Sequence, residues 1–495
     1  MKIKWVLVAI ICSLVLFIAL RSAPAQGSPG VAPTRTATVN STPEPAAEAE
    51  PDTPEQAETK ANPRALTLND ALAIACTKSP LILEAEQAIK SASGFTIQTR
   101  SQALPVVELS VNGAQADKYN TSNPTGESDE INVPSNEDRT QPAGPLWSVQ
   151  LKLVKTIFDA GETRYQIGAA KVSEAMATYA MEDTVQNVNM QIRQLYYQVL
   201  YERQRINIYR DAVALLEKQS QRVKSQMRFG GSNEFYLLRA QAGVDSLEPQ
   251  EVEAQTEYET AMQQLADLLG MDYREAEDKL LGPGVRGKLF TKVDAPSLDA
   301  AIQDSVQNRP AIHQLEMAVE AERLDMRAEA AAYYPKVNLF GALGHSDTPA
   351  PGNTTVSNNN DGYIVGLSAT WNIFDGGLVK GRVMQARAAF ATAVDALQAA
   401  RDSSEFTVRE ALNNLAFYQR DVNSHGEVWE RARKCDNVAI QRAAAGTGTI
   451  FDLIQTLQIT TATRAQLLNQ LYQLNAIHAQ IDYLTGRGVQ ISSVK

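Results

Sequence analysis

Apolar and polar positions along this chain follow two regimes, and each regime occurs twice. In residues 162–228 and 378–443, apolar and alanine positions recur every three to four residues, as in Ile192, Leu195, Val199 and Ile206, and no proline interrupts either stretch. That period predicts helix. At 1.5 Å per residue each stretch makes a rod of about 100 Å, a length typical of coiled coils and helical repeats. The second regime has period two. Trp147, Val149, Leu151 and Leu153 alternate with Ser148, Gln150 and Lys152, and Val365, Leu367, Ala369, Trp371 and Ile373 alternate with Gly366, Ser368, Thr370 and Asn372. Val107, Leu109 and Val111, and then Val337, Leu339 and Leu343, supply their partner strands. One apolar and one polar face predict a half-buried sheet, or a barrel wall with lipid outside and water inside. Residues 114–145 and 344–362 are rich in Asn, Ser, Asp, Pro and Gly and predict solvated loops.

The two sets of elements are copies. Leu68, Pro80 and Pro105 return as Leu298, Pro310 and Pro335, each 230 residues later. Phe158-Asp159-Ala160-Gly161 returns as Phe374-Asp375-Gly376-Gly377 at an offset of 216, which persists through Gly230/Gly446, Phe235/Phe451 and Gly270/Gly486. A single change of 14 residues, placed in the polar loops, reconciles the alignment. The first repeat spans 65–296 and the second 297–488, followed by a tail at 489–495. Each runs short helix, Pro-initiated helix, strand, loop, strand, very long helix, glycine turn, return helix. The helices at 80–103 and 233–269, about 36 and 55 Å long, together nearly match the rod. They are expected to stack end to end beside it, with 271–297 and the carboxyl tail at the junction. Four strands cannot close a barrel, for which about eight is the small limit. No open edge can face lipid. Either the sheet stays out of the membrane, or several chains pool their strands.

Composition narrows the class. Aromatic residues make up only 6% and the formal charge is −11, which argues against a nucleic-acid partner. Lys2 and Lys4 precede an apolar run from Trp5 to Leu20, and Ala23-Pro24-Ala25 follows as a small-x-small site. Residues 1–25 therefore read as a secretory signal peptide. Residues 26–64, rich in Pro, Ala, Thr and Glu, read as a disordered linker. Cys12 lies inside the apolar run rather than at the cleavage site, which argues against lipidation; Cys76 and Cys435 belong to no paired pattern and read as free core or surface thiols, with a bridge between them in an exported chain as the alternative.

This layout resembles the TolC-type outer membrane efflux family. The resemblance is carried by Leu66-Thr67-Leu68-Asn69-Asp70-Ala71 before Ser79-Pro80, by Ser297-Leu298-Asp299-Ala300 before Arg309-Pro310, by the two Phe-Asp motifs, and by the turns at Gly230 and Gly446. It implies a mainly α chain with a small antiparallel β part. Three copies would form a long α-helical coiled-coil tunnel topped by a shared transmembrane β-barrel, four strands per chain. It implies a homotrimer in outer membrane lipid, extending into the periplasm, that serves as the exit duct of a tripartite efflux or type I secretion system. The partners implied are a periplasmic adaptor (membrane fusion) protein and an inner-membrane transporter that supplies the energy; no catalysis, cofactor or metal is implied. The adaptor-docking turns would be Phe229, Gly230 and Gly231, and Ala445, Gly446 and Thr447. The entrance constriction would be Asp452 with Gln455, which replaces the family's second acid. The family's neighbouring arginine and tyrosine correspond to Gly448 and Ala443, so the entrance constellation is only partly present. The competing reading is a periplasmic coiled-coil adaptor or scaffold, which would have one hairpin and soluble strands.

Two other signals are weaker. Gly282-Pro283-Gly284-Val285-Arg286-Gly287-Lys288 fits the skeleton of a phosphate loop, but Leu289 stands where Ser or Thr must hold the metal, so a junction loop is expected. His313, His345, His425 and His478 lack ligand spacing and read as surface or packing residues.

Overall fold

The computed structural model describes residues 65–116, 144–229, 233–350, 353–445 and 447–487. The expected signal peptide and linker, the 489–495 tail, Cys12 and most of the expected loop at 114–145 lie outside them. The first copy comprises α1 (Leu68–Lys78), α2 (Pro80–Ser101), β1 (Val106–Ala116), β2 (Gly144–Phe158), α3 (Glu162–Arg228) and α4 (Glu234–Leu268). A short α5 (Tyr273–Ala276) and a π-helical turn (Glu277–Leu281) lead to the second copy: α6 (Leu298–Asn308), α7 (Pro310–Ala331), β3 (Lys336–Ala350), β4 (Asn353–Thr370), α8 (Leu378–Ala444) and α9 (Ile450–Leu484).

Residue types at fixed spacing set the ends of these elements. Pro80 and Pro310 open α2 and α7 at the first turn, where a missing N–H costs nothing. Each strand-to-helix corner is tied by an aspartate: Asp159 accepts from the N–H of Gly161 and Thr163 at 3.0 and 2.9 Å, and Asp375 from those of Gly377 and Val379, both at 2.8 Å. Two residues in the left-handed region precede each long helix, Ala160 and Gly161 (φ 54° and 89°), then Gly376 and Gly377 (φ 67° and 93°). The return helices α4 and α9 both end in Schellman caps. Met271 N–H bonds to Ala266 and Arg487 N–H to Asp482, with Gly270 and Gly486 left-handed between.

The long helix α3 carries α2 and α4 on its flank, as the length argument predicts, and it also packs against α7 and α9. The main core gathers Val188, Ile192, Tyr196 and Leu200 of α3 with Ala71 and Leu72 of α1, Met262 and Leu265 of α4, and Leu280 and Val285 of the junction. A second core joins Val408, Leu415, Leu474 and Ile481 of α8 and α9. In α4, Pro249 sits inside a helix that does not stop there. Burial of Leu247 and Ala254 against α3 outweighs the break of about 3 kcal/mol.

The four strands form one antiparallel sheet in the order β1-β2-β3-β4. Leu109 faces Leu151, which faces Leu343, which faces Tyr363, so the apolar alternations of all four strands share one face. Two expectations are corrected here. Residues 344–350 and 353–362 are strand, not loop: β3 runs to Ala350 and β4 starts at Asn353, because paired main chain needs no apolar side chains to extend a hairpin. Trp371 and Ile373 lie beyond the end of β4; the Trp371 indole N–H donates instead to the Tyr333 carbonyl at 3.1 Å.

Candidate functional site: sheet face, hairpin turns and entrance helix

Three regions of this architecture stand out, and among the described residues no group of three or more His, Cys, Asp or Glu could hold a metal ion. The first is the sheet. Its apolar face is open, with Leu109, Val111 and Leu367 each about two-thirds exposed (65%, 66% and 66%). Its other face carries Ser110, Ser148, Gln150, Lys152, Asn338 and Ser368. Among the described residues both outer strands, β1 and β4, present an unpaired edge.

The second region is the pair of turns at the far ends of the long helices. Phe229 closes α3 and is 87% exposed. Gly230, Gly231 and Gly446 fall outside the described residues. In the second turn Ala445 N–H bonds to Gln441, and the N–H groups of Thr447 and Gly448 both bond to the Arg442 carbonyl at 2.9 Å. A Cβ on Gly448 would meet the Ala443 nitrogen at 2.9 Å, so the two positions matched to the family's arginine and tyrosine are in backbone contact here, with no room for a side chain at 448.

The third region is the start of α9. Thr449 and Asp452 form a capping box: Asp452 N–H donates to the Thr449 hydroxyl at 3.1 Å, and Thr449 N–H donates to the Asp452 carboxylate at 3.4 Å. Asp452 and Gln455 are three apart on the same exposed helix face, beside the buried Leu453 and Ile454.

Among the described residues no hydrogen bond joins the two turns. The hairpins meet farther along their return helices, where the Arg239 guanidinium lies over the Phe451 ring at 4.2 Å and Ile454 packs toward Gly243. Sequence reasoning missed this pair, although a signal existed: Phe451 duplicates Phe235, and Arg239 duplicates Gln455 at the same 216-residue offset.

The glycine-rich stretch 282–288 is a packed junction. The N–H groups of Gly282, Gly284 and Arg286 bond to Glu277, Leu280 and Leu66, and Val285 is 1% exposed. The Tyr196 hydroxyl donates to the Leu66 and Arg286 carbonyls, and Arg203 donates to that of Val285. The amides of Gly282, Gly284 and Arg286 are thus taken up by main-chain carbonyls rather than offered to a phosphate. Three histidines sit beside single acids, His313 with Glu316, His345 with Asp361 and His425 with Asp421. Cys76 and Cys435 are free.

The family model for outer membrane efflux proteins matches residues 71–271 and 301–487, one match in each copy. This chain belongs to that family. Outer membrane protein TolC of Salmonella enteritidis is 24% identical over 79% of the chain and 75% of its own length. The alkaline protease secretion protein AprF of Pseudomonas aeruginosa is 21% identical over 68% of the chain and 69% of its own length. In fold, the chain is similar to the Campylobacter jejuni CmeC outer membrane channel (TM-score 0.72, 18% identity, 86% of each chain). It is also similar to outer membrane protein VceC of Vibrio cholerae (TM-score 0.68, 17% identity, 86% of this chain and 97% of that one). As an outer membrane efflux protein the chain resides in the outer membrane and extends into the periplasm, which sets aside the adaptor or scaffold reading.

Proposed function

We propose that this outer membrane efflux protein is the passive exit duct of a tripartite efflux or type I secretion system, assembled as a homotrimer and energised by an inner-membrane transporter through a periplasmic adaptor. The observation that carries the reading is the four-stranded sheet, apolar on one face and unpaired at both edges. Such a sheet is stable in lipid only if neighbouring copies complete the ladder, and three copies supply twelve strands. The helices below the open edges are consistent with the same assembly: α2 exposes Leu83 and Ile97, and α8 exposes Met384 and Phe406, so each carries exposed apolar side chains. The turns at Phe229 and Ala445–Thr447 then point away from the membrane, where the adaptor would dock. Asp452 and Gln455 would line the periplasmic mouth.

Photo-crosslinking in cells from Phe229 and Thr447 tests the docking claim. An adaptor captured with a proton-driven pump assigns the duct to small-molecule efflux, and an adaptor captured with an ATP-driven transporter assigns it to polypeptide secretion. Capture of neither would overturn the docking assignment, whereas heat-modifiable oligomers in the outer membrane fraction test the channel separately.

A further inference from the structure

A cleft of about 500 Å³ opens where β2 turns into α3, lined on one side by Gln102 and Ala103 at the end of α2 and on the other by the first turns of α3. Three cations surround it: Lys155, Arg164 and Lys171. Arg164 and Lys171 are seven residues apart, so they project from one stripe of α3. Lys155 belongs to the alternation of Val149, Leu151 and Leu153, which places it on the apolar face at its periplasmic end, just before the bulge at Thr156. Among the described residues none of the three is bridged to a carboxylate. Asp159, the acid in the cleft, directs its oxygens to the N–H groups of Gly161 and Thr163. Beside the cations Ile157 and Phe158 stand 58% and 49% exposed.

Unpaired cations next to exposed apolar side chains, at the level where a barrel wall leaves the membrane, match an amphiphile with an anionic head and hydrocarbon tails. We propose that this cleft binds the phosphate headgroup of an anionic phospholipid from the periplasmic leaflet, with Lys155, Arg164 and Lys171 on the head and Ile157 and Phe158 against the acyl chains. The internal duplication supports the assignment independently. At the 216-residue offset Arg164 and Lys171 return as Lys380 and Arg387, both exposed, and Trp371 stands in the place of Lys155. Tryptophan is itself a residue of the membrane–water interface. Each chain thus repeats its helical cations at the equivalent positions of the second copy. The cleft lies between α2 and α3 of one chain, so it does not depend on a neighbour to form.

The inference rests on the sheet being a membrane barrel, and its test separates the two. The full chain, extracted in detergent, is titrated with phosphatidylglycerol and read by native mass spectrometry, with trimer assembly scored on the same spectra. The triple variant K155Q/R164Q/K171Q is expected to stay trimeric and to bind phosphatidylglycerol at least about tenfold more weakly, while K155R/R164K/K171R retains binding. Equal binding by the glutamine variant and the wild type would overturn the site. So would full competition by inorganic phosphate at matched concentration, which would make the ligand a free anion. If the triple variant does not assemble, R164Q and K171Q singly carry the same comparison. Loss of trimers in the wild type would instead refute the barrel.

Discussion

Gly270 closes on the main-chain carbonyl of Lys78, so that a Cβ at 270 would overlap that oxygen, and Gly486 closes likewise on Asn308, the duplicate of Lys78. Each contact is where a return helix ends against the start of a Pro-initiated helix, so the end-to-end stack depends on a residue without a side chain. Both glycines also have positive φ, 68° and 66°. Replacing either by alanine is expected to cost about 1–3 kcal/mol from the backbone alone, with steric overlap added. The measurement is the temperature at which oligomers dissociate on gels. The two glycines close on different residues, Lys78 and Pro80 for Gly270 and Asn308 for Gly486, so the double variant should lose the sum of the single losses. Unchanged dissociation in Gly270→Ala would refute the stack as the weak point.

Ala160 occupies a left-handed position, φ 54°, that its duplicate fills with Gly376. An alanine there carries a strain of roughly 1–2 kcal/mol that glycine does not. Ala160→Gly is therefore expected to stabilise the strand-to-helix corner by about 1 kcal/mol, less the greater entropy glycine loses on folding. The converse change, Gly376→Ala, should cost a similar amount. Urea midpoints for the pair test it, and a destabilised Ala160→Gly would contradict the account.

These corners explain what was legible in the sequence. Asp159, Gly161, Gly270, Pro80 and their duplicates announce a cap, a positive φ or a helix start, and each demand is met by only a few residue types. The long helices were legible to within a residue because nothing in them breaks the period. Strand ends in 344–362 were not, because a protruding hairpin is held by main-chain bonds that polar residues make as well as apolar ones. The Arg239–Phe451 contact was hidden for another reason: it joins helices from different copies, and periodicity within one helix says nothing about what its neighbour presents.

Glu202 on α3 is 2% exposed, and its partner Arg205 also reaches Glu257 at 2.8 Å and Glu253 at 3.5 Å on α4. Tyr472 of α9 faces the same cluster. Burial, reinforced by the hydrogen bond with Glu257, pushes the Glu202 carboxyl up to about 8. A folded-state value above the ordinary 4.5 gives stability that is complete below that ordinary value and declines as pH rises through about 8. Glu202→Gln keeps the neutral shape. It should match the wild type near pH 5 and exceed it near pH 8, by on the order of 1 kcal/mol per pH unit at most. Melting curves at the two pH values decide; parallel curves for both proteins would show that Glu202 stays ionised.

Arg239 over Phe451 links the return helix of the first hairpin to that of the second near the proposed mouth, and such a pair contributes about 0.5–2 kcal/mol according to how far it is desolvated. If opening separates the hairpins, Arg239→Ala should favour the open form and raise single-channel conductance in planar bilayers. Arg239→Lys should restore part of the closed behaviour, since a cation remains over the ring. An unaltered conductance in Arg239→Ala would mean that the contact holds the fold together without taking part in gating.

Asp452 has two roles to separate, since its carboxylate caps α9 and also lies exposed on the face shared with Gln455. In a trimer three such carboxylates would ring the mouth and favour cations. Asp452→Asn keeps the size of the side chain and removes the charge, so cation-over-anion preference should fall. Thr449→Ala removes the other half of the capping box at a cost of about 1 kcal/mol and keeps the charge, so stability should fall while selectivity holds. Reversal potentials across a salt gradient, measured beside dissociation temperatures, give both readouts for both variants. Selectivity lost in Asp452→Asn alone assigns the charge to the mouth. Selectivity lost equally in Thr449→Ala would mean that the order of the first helical turn matters, not the carboxylate ring, and the entrance assignment would fall.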